Sequence, residues 1–527
     1  MASKKFLRTI FLTSILLVFS LVNGDDDERK TDLPPGFMIG AATSSYQIEG
    51  GWNANDKGEN SWDFYTHNRT ERISDRGTGD IACDSYHKYK EDAQLIQDIG
   101  LDFYRFSLSW ARILPNGYSN YVSDAGVKYY NDVLDELEKR NITPMVTIYH
   151  WDHPQKFQFM GGWTNDIMVD LYTDYAKVVF DKFAHRVKHW ITINEPNAIC
   201  RYSYVFGLHA PGYQLGNGAG YLCNTNVLKA HARVYHLYNK DYKPTHNGEV
   251  GITLELRNFF PKNKGDDFSA EKGFQVQFGI YAHPIFSKNG NWPQLIIDTV
   301  GNISKLEGLP RSRLPVLSEE WIAEIKGSAD FLGLNHYTSM LVEPETLDGD
   351  QTPSDDGLSA SYDPNWEDTA FDWLKIVPEG FANALKRLKN EYDNPKVYVT
   401  ENGAADDGKT VEDNVRLVYL SKYMQAMLDS IYKDGCNVHG YAIWSLLDNF
   451  EWSEGYNIKF GLYQVNFTSP ERTRTAKQSA KWLKEVIKAR KLLPIDPYLG
   501  IVPAGAVPNL EWHGHTPKHT TIWYRGH

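Results

Sequence analysis

Cysteine is scarce in this chain, with 4 in 527 residues: Cys83, Cys200, Cys223 and Cys436. None forms the closely spaced pair that a structural zinc site needs, so zinc is not supported. Four cysteines allow three pairings, and their spacing selects none. A chain of this length buries enough surface to fold without bridges, so the expectation is buried free thiols with at most one disulfide. After the first two dozen residues there is no apolar run long enough to cross a bilayer. There is no long basic block either, and the net charge of −12 argues against a nucleic-acid partner. No G-x-G-x-x-G or P-loop opens a strand–helix unit, which counts against a dinucleotide or nucleotide fold. Between about residues 37 and 490 there is no low-complexity linker and no short repeat. One large domain is therefore simpler than the three or four that roughly 150 residues per domain would suggest.

What the chain has in excess is aromatic side chains: 15 Trp, 32 Tyr and 24 Phe, or 13% of the sequence. Buried Trp and Tyr must find partners for their N–H and O–H groups, so core packing alone rarely calls for so many. Flat amphipathic rings suit a pocket for a flat amphipathic ligand. The start of the chain reads as a secretory signal over residues 1–24, with basic Lys4, Lys5 and Arg8, an apolar stretch, and Val22 and Gly24 before a cut. That implies a secreted protein, extracellular or in a gut lumen. Asn68, Asn141, Asn302 and Asn466 each head an Asn-x-Ser/Thr triplet, as candidate glycosylation sites of an exported chain. Residues 25–36 are expected to be a flexible acidic lead-in. Residues 491–527 read as a tail rich in Pro, Gly and His, whose His513, His515, His519 and His527 are taken as incidental rather than metal ligands.

Short β-rich apolar segments recur at residues 37–42, 103–107, 145–149, 190–193, 250–254, 330–334, 396–400 and 438–444. Helical patterns lie between them, at 89–99, 125–140, 168–183, 384–392 and 414–432. Alternating buried strand and amphipathic helix implies a parallel sheet with crossover helices. Eight such units over residues 37–490 predict a single (β/α)8 TIM barrel with long βα loops. A doubly wound sheet is the competing architecture.

In such a barrel, reactive groups stand just past the C-terminal strand ends. Those ends supply Gln47, Arg105, His150, Asn194 with Glu195, Asn335 with Tyr337, Glu401, and Trp444 followed by Asp448, Glu451 and Trp452. Glu195 and Glu401 each follow an apolar strand with no turn residue between, on strands four and seven, where they would face each other across the mouth. A facing carboxylate pair can cleave a glycosidic bond. One attacks the anomeric carbon and the other protonates the departing oxygen; a separation of about 5 Å implies a covalent intermediate and retained configuration. The charge of one carboxylate raises the pKa of the other and keeps it protonated, while Arg105 would hold its partner ionised.

Thr192-Ile-Asn194-Glu195-Pro196 and Tyr398-Val-Thr-Glu401-Asn402-Gly403 resemble the two catalytic motifs of family 1 glycoside hydrolases. The likeness continues at residues 37–50, 103–112, 150–152, 334–337 and 444–452, and spans about 37–490. Within the family, the chain is similar to secreted insect β-glucosidases and to the aphid-type thioglucosidase (myrosinase). The resemblance implies a (β/α)8 barrel of retaining β-glycosidases with no cofactor and no metal. It implies Glu195 as acid/base and Glu401 as nucleophile. Asn194 would hold the sugar 2-hydroxyl, and Arg105 and Tyr337 would support Glu401. Gln47, His150, Glu451 and Trp452 would hold the other hydroxyls, Trp444 would floor the ring, and Asn335 joins this substrate-binding set. Hydroxyls need paired donors and acceptors, and the C–H face of a pyranose suits an aromatic platform. Gln47 and Glu451 together would select the O4 epimer, giving a glucose preference with fucose or galactose admitted. Trp373 and Arg201 are aglycone-side candidates.

The implied partner is a small-molecule glucoside, with no nucleic acid and no membrane; a homodimer is left open. His153 stands where Leu is commoner in the family, and is expected to pack beneath the site. Plant thioglucosidases carry Gln at the acid/base position, and Glu195 departs from them. The aphid-type enzyme keeps Glu, so hydrolysis of glucosinolates is the alternative function. It would require cations for the aglycone sulfate; Arg201 could supply one, whereas Met340 stands where that pattern has the other. A sugar-binding protein on an inactive barrel would lack one of the two glutamates, and a nicotinamide oxidoreductase would give the pair no role.

Overall fold

The computed structural model describes residues 30–346 and 354–499. The signal-like segment 1–24 and the histidines at 513, 515, 519 and 527 lie outside the described residues.

Eight strands follow the expected segments to within a few residues. They are β1 Met38–Ala42, β2 Phe103–Ser107, β3 Thr143–Tyr149, β4 His189–Asn194, β5 Glu249–Glu255, β6 Phe331–Asn335, β7 Val397–Asn402 and β8 Val438–Trp444. Each pairs in parallel with the next, and β8 returns to β1 with Met38 opposite Gly440 and Ala42 opposite Trp444. The result is a closed barrel, as the alternation of strand and helix requires. Closure leaves no exposed edge, so both faces of every strand are covered and the strands read as apolar runs rather than as alternating ones. Helices Ser85–Ile99, Asp124–Lys139, Ile167–Phe183, Asn217–Asp241, Pro378–Glu391, Asn414–Tyr432 and Gln478–Ala489 are among those that surround it. Two start earlier than their apolar pattern suggests. Pro378 occupies a first-turn position, where a missing N–H costs nothing, and Ser85 follows a left-handed Asp84 that ends the preceding turn.

The register slips at three places, once between Val397 and Tyr398 of β7 against β8, and twice close to a candidate glutamate. Pairing between β4 and β5 shifts between Ile191 and Asn194, and β7 shifts against both neighbours after Val399. Such irregularities re-aim side chains at barrel rims. Past the slip between β4 and β5, Glu195 takes a positive φ of 47°.

The loops on the functional face carry their own structure. Between β5 and β6 lie four helical segments, Asp267–Phe274, Ile280–Phe286, Gln294–Leu306 and Glu319–Ile325. Strands Asn258–Pro261, Ser339–Pro344 and Leu358–Ser361 form a small sheet beside them. Of the three possible cysteine pairings, the structure has Cys200–Cys223. It ties the π-helical turn Ala198–Val205, just past Glu195, to helix Asn217–Asp241. Cys83 and Cys436 are buried free thiols. At the opposite pole residues 31–33 pair with residues 490–492: Leu33 N–H donates to the Arg490 carbonyl and Leu492 N–H to that of Thr31. The four candidate glycosylation asparagines are all exposed.

Candidate active site

Glu195 and Glu401 are both nearly buried, at 7% and 4% exposure, but their environments differ. Glu401 is gripped at both oxygens. Arg105 Nη1 donates to Oε1 at 2.6 Å and Tyr337 Oη donates to Oε2 at 2.6 Å. Glu195 accepts one bond from Asn335 Nδ2, at 2.7 Å. Arg105 is fully buried and also donates to the Thr400 carbonyl at 3.0 Å, to Thr147 Oγ1 at 3.1 Å and to Asn194 Oδ1 at 2.6 Å. One guanidinium thus joins β2, β3, β4 and β7, using the fixed fork that distinguishes Arg from Lys.

These contacts set the ionisation. Burial, Glu401 and Glu255 push the Glu195 carboxyl well above the ordinary carboxylate range. Burial also pushes Glu401 up, but Arg105, Tyr337 and Asn335 pull it back. A carboxylate that accepts several strong bonds is favoured in its charged form, whereas one beside like charges holds its proton. Both carboxyls stand above their ordinary range, Glu195 further than Glu401, so Glu401 is the more readily ionised of the two.

The remaining strand-end residues converge on the same place. Because Asn194 Oδ1 faces Arg105, its amide N–H faces His150 Nε2, at 3.1 Å. His150 then carries its proton on Nδ1, a buried atom with no protein partner. Burial and Arg105 hold its pKa well down, so the ring is neutral. It stacks between Trp444, at 6.0 Å, and Trp452, at 5.9 Å. Gln47 is fully buried; its amide donates to Asn449 Oδ1 at 3.0 Å and to the Phe450 carbonyl at 2.9 Å. Burial and Glu401 push the Glu451 carboxyl up to about 8, against a hydrogen bond from Trp444. It is therefore an uncharged acid at neutral pH, able to donate as well as accept. Trp373 meets Tyr337 edge-on at 6.0 Å. Arg201 faces Asp356 at 3.6 Å and lies over the Phe206 ring. Met340 is buried, and Arg257 Nη1 lies 3.8 Å from its sulfur. His153 does pack beneath the site, bridging Tyr149 and Gln158 as an uncharged ring with its pKa lowered to about 4 by burial.

Some contributors escaped the sequence reading. Glu255, at the end of β5, accepts from Asn197 Nδ2 at 2.7 Å and from Arg257 Nε at 2.8 Å. It stands opposite Asn335 in the barrel register. The rule that found Glu401, a carboxylate directly after an apolar strand, also points to Glu255. Trp151, at φ 76°, donates its indole N–H to the Asn194 carbonyl at 2.9 Å. Its ring packs against Trp452 at 4.5 Å with the planes tilted by 36°, and Trp62 lies 4.6 Å from Trp452.

A (β/α)8 barrel whose mouth holds two buried, unequally held carboxylates among polar side chains and aromatic walls has the arrangement of a glycosidase site. Residues 29–492 match the family described as Glycosyl hydrolase family 1, and the chain belongs to that family. It is 46% identical over 465 residues to Myrosinase 1 of Brevicoryne brassicae, covering 87% of this chain and 99% of that protein. Among solved structures, Aphid myrosinase superposes with a TM-score of 0.84 at 45% identity, over 88% of this chain and 100% of that one. A rice beta-glucosidase mutant in a covalent complex with Glc superposes with a TM-score of 0.81 at 34% identity, over 86% and 99%.

The ends of β7 and β8 touch at Gly403, where a Cβ would lie 2.0 Å from the Trp444 carbonyl oxygen. Gly403→Ala must therefore part the β7 loop from the end of β8. We expect a stability loss of about 1–3 kcal/mol and, through displacement of Glu401, a rate loss of at least about tenfold. Thermal melting and steady-state kinetics check this; a variant with wild-type melting and rate would show that the loops tolerate the separation.

Proposed function

We propose that this chain is a retaining β-glucosidase in which Glu401 is the nucleophile and Glu195 the acid/base. The observation that carries the assignment is the unequal hold on the two carboxylates. A nucleophile must be fixed and readily ionised, and the bonds from Arg105 and Tyr337 to Glu401 favour both. A general acid must keep a proton, which the burial of Glu195 and its carboxylate neighbours favour.

In the first step a Glu401 oxygen attacks the anomeric carbon. The bond from that carbon to the aglycone oxygen breaks, and Glu195 gives its proton to the departing oxygen. The glucosyl ester leaves Glu401 without charge. One of the pushes on Glu195 is then gone, so Glu195 can take a proton from water. The water oxygen bonds to the anomeric carbon, the ester opens, and the Glu401 carboxylate returns. Asn194 holds the 2-hydroxyl and the Nδ1–H of His150 donates to a neighbouring hydroxyl. Gln47, Glu451 and Trp452 hold the far side of the ring on the Trp444 face. No cofactor enters. Fucosides and galactosides are secondary substrates of this pocket. The rice relative described as a covalent complex with Glc supports an ester intermediate.

Export through residues 1–24 completes the reading. It is supported by the Cys200–Cys223 bridge, because such bridges persist in oxidising compartments. Thioglucoside hydrolysis is a second reading, favoured by the likeness to Myrosinase 1. Against it, Met340 is uncharged, and Arg201 and Arg257 have Asp356 and Glu255 as acidic neighbours.

A 2-deoxy-2-fluoroglucoside with a good leaving group should label Glu401; mass spectrometry locating the label elsewhere overturns the assignment. Glu195→Gln should cost about 10²–10⁴ in rate for poor leaving groups and far less for activated ones, and equal losses would count against it. Tyr337→Phe removes a donor to the ionised form of Glu401, so that carboxyl titrates higher. The acid limb of the kcat/KM profile should move to higher pH, and an unmoved limb would remove Tyr337 from the role. Turnover of a glucosinolate, lowered selectively by Arg201→Ala, would favour the second reading; absence of turnover ends it.

A further inference from the structure

Behind the pocket lies a buried set of charges that none of these roles uses. Lys477, just before helix Gln478–Ala489, is fully buried. Its ammonium donates to Asp406 Oδ2 and to Asp448 Oδ1, each at 2.8 Å. Arg416, on helix Asn414–Tyr432 and also fully buried, lies 2.6 Å from the same Asp406 oxygen and 2.5 Å from Asp413 Oδ2. Asp413 in turn accepts from the Ser479 backbone N–H at 2.9 Å.

The two aspartates that Lys477 joins belong to two of the loops that build the pocket. Asp406 ends the segment that starts at Glu401, and Arg416 Nε holds the Ala404 carbonyl in that segment at 3.1 Å. Asp448 lies between Trp444 and Glu451. Its carboxylate also accepts from Gly461 N–H at 2.9 Å, and its own N–H donates to the Tyr463 carbonyl at 2.9 Å. The next two residues, Asn449 and Phe450, accept from Gln47. The β8 loop is therefore pinned on its outer side by Lys477 and on its inner side by Gln47.

A desolvated ion set of this kind persists only with every member paired, and replacing one member leaves an uncompensated buried charge. An apolar contact in its place would fill the volume without fixing direction. Here one ammonium links the loop that carries Glu401 to the loop that carries Trp444, Glu451 and Trp452.

We propose that Lys477 is a positioning residue that fixes selectivity at sugar O4, acting through Asp448 on the Glu451 loop and through Asp406 on the Glu401 loop. The inference rests on the reading of Gln47 and Glu451 as sugar-hydroxyl ligands. An equatorial O4 must meet both side chains at once, so it is sensitive to the placement of the loop. An axial O4 meets them less completely and has less to lose.

The test is kinetic, on the full chain, with 4-nitrophenyl β-D-glucoside and β-D-galactoside. Lys477→Met should lower kcat/KM for the glucoside by about 10- to 100-fold, as a displacement near 1 Å does, chiefly through KM. The galactoside should lose several-fold less, so the glucoside-to-galactoside ratio falls. Asp448→Asn, which keeps the Lys477–Asp406 pair and Arg416 in place, should shift the ratio in the same direction; it carries the test if Lys477→Met does not fold. A general loss of stability would lower both sugars together. An unchanged ratio in both variants, or in Asp448→Asn alone where Lys477→Met does not fold, overturns the inference. Wild-type enzyme that hydrolyses neither sugar would instead overturn the glycoside reading, and this inference with it.

Discussion

The buried guanidinium of Arg105 is the interaction on which the site depends. Its surroundings offer one carboxylate and three neutral oxygens, drawn from β3, β4 and β7. A charge with no exposure is costly unless paired and hydrogen-bonded, so the four strands must meet in one arrangement for Arg105 to be satisfied. That requirement turns a barrel tolerant of many loop geometries into one with a defined mouth. It orients Asn194, and Asn194 orients His150. A single side chain on β2 thus determines which atoms of β3 and β4 present donors and which present acceptors.

Electrostatic asymmetry is built from the same few contacts. Two glutamates near one another in a buried mouth would, left alone, be equivalent. Arg105 and Tyr337 address one of them, while Asn335 and the nearby Glu255 address the other. Asn335 also accepts from Thr400 Oγ1 at 2.8 Å, which fixes the direction of its amide. The difference between nucleophile and acid is thus a difference in donors rather than in the carboxylates themselves. The same argument explains why Glu451 holds its proton to about pH 8. It shares the mouth with Glu401, but a Trp444 hydrogen bond is its main relief.

The barrel was legible in the sequence because strands buried on both faces are written as short apolar runs, and helices as wider amphipathic ones. The cluster around Glu195 and Glu401 was legible because its residues follow those strands directly. Gln47, His150, Asn194, Asn335 and Glu401 lie within a few positions of a strand end, where spacing alone brings them together. The register slips before Glu195 and Glu401 were not legible, since a slip leaves no mark in an apolar run. Nor was the bridge between Cys200 and Cys223, which depends on how the turn after Glu195 folds back on helix Asn217–Asp241. Lys477 and Asp406 escaped because they are 71 residues apart, and only the closed barrel puts them in contact. The aromatic excess is explained in part. Trp62, Trp151, Trp444 and Trp452 pack with His150 in one wall at the mouth. Trp110, Trp163, Trp190 and Trp482 are fully buried in the core, and Trp62 is as fully buried as they are.

The aglycone side follows a different logic, and this limits what family membership conveys. Its side chains come from the long segments after β4, β5 and β6 rather than from the strand ends. Arg257 connects them: it pairs with Glu255, lies over the Trp373 ring at 4.8 Å, and reaches Tyr202 Oη at 3.3 Å and Met340. Glu255 therefore belongs to both halves of the site. It helps hold the proton on Glu195, and it anchors the cation that organises the aglycone wall. A change in that wall that disturbs Arg257 must also change the field at Glu195. The wall around Arg257 and the proton on Glu195 are accordingly tied together by one carboxylate that neither motif contains.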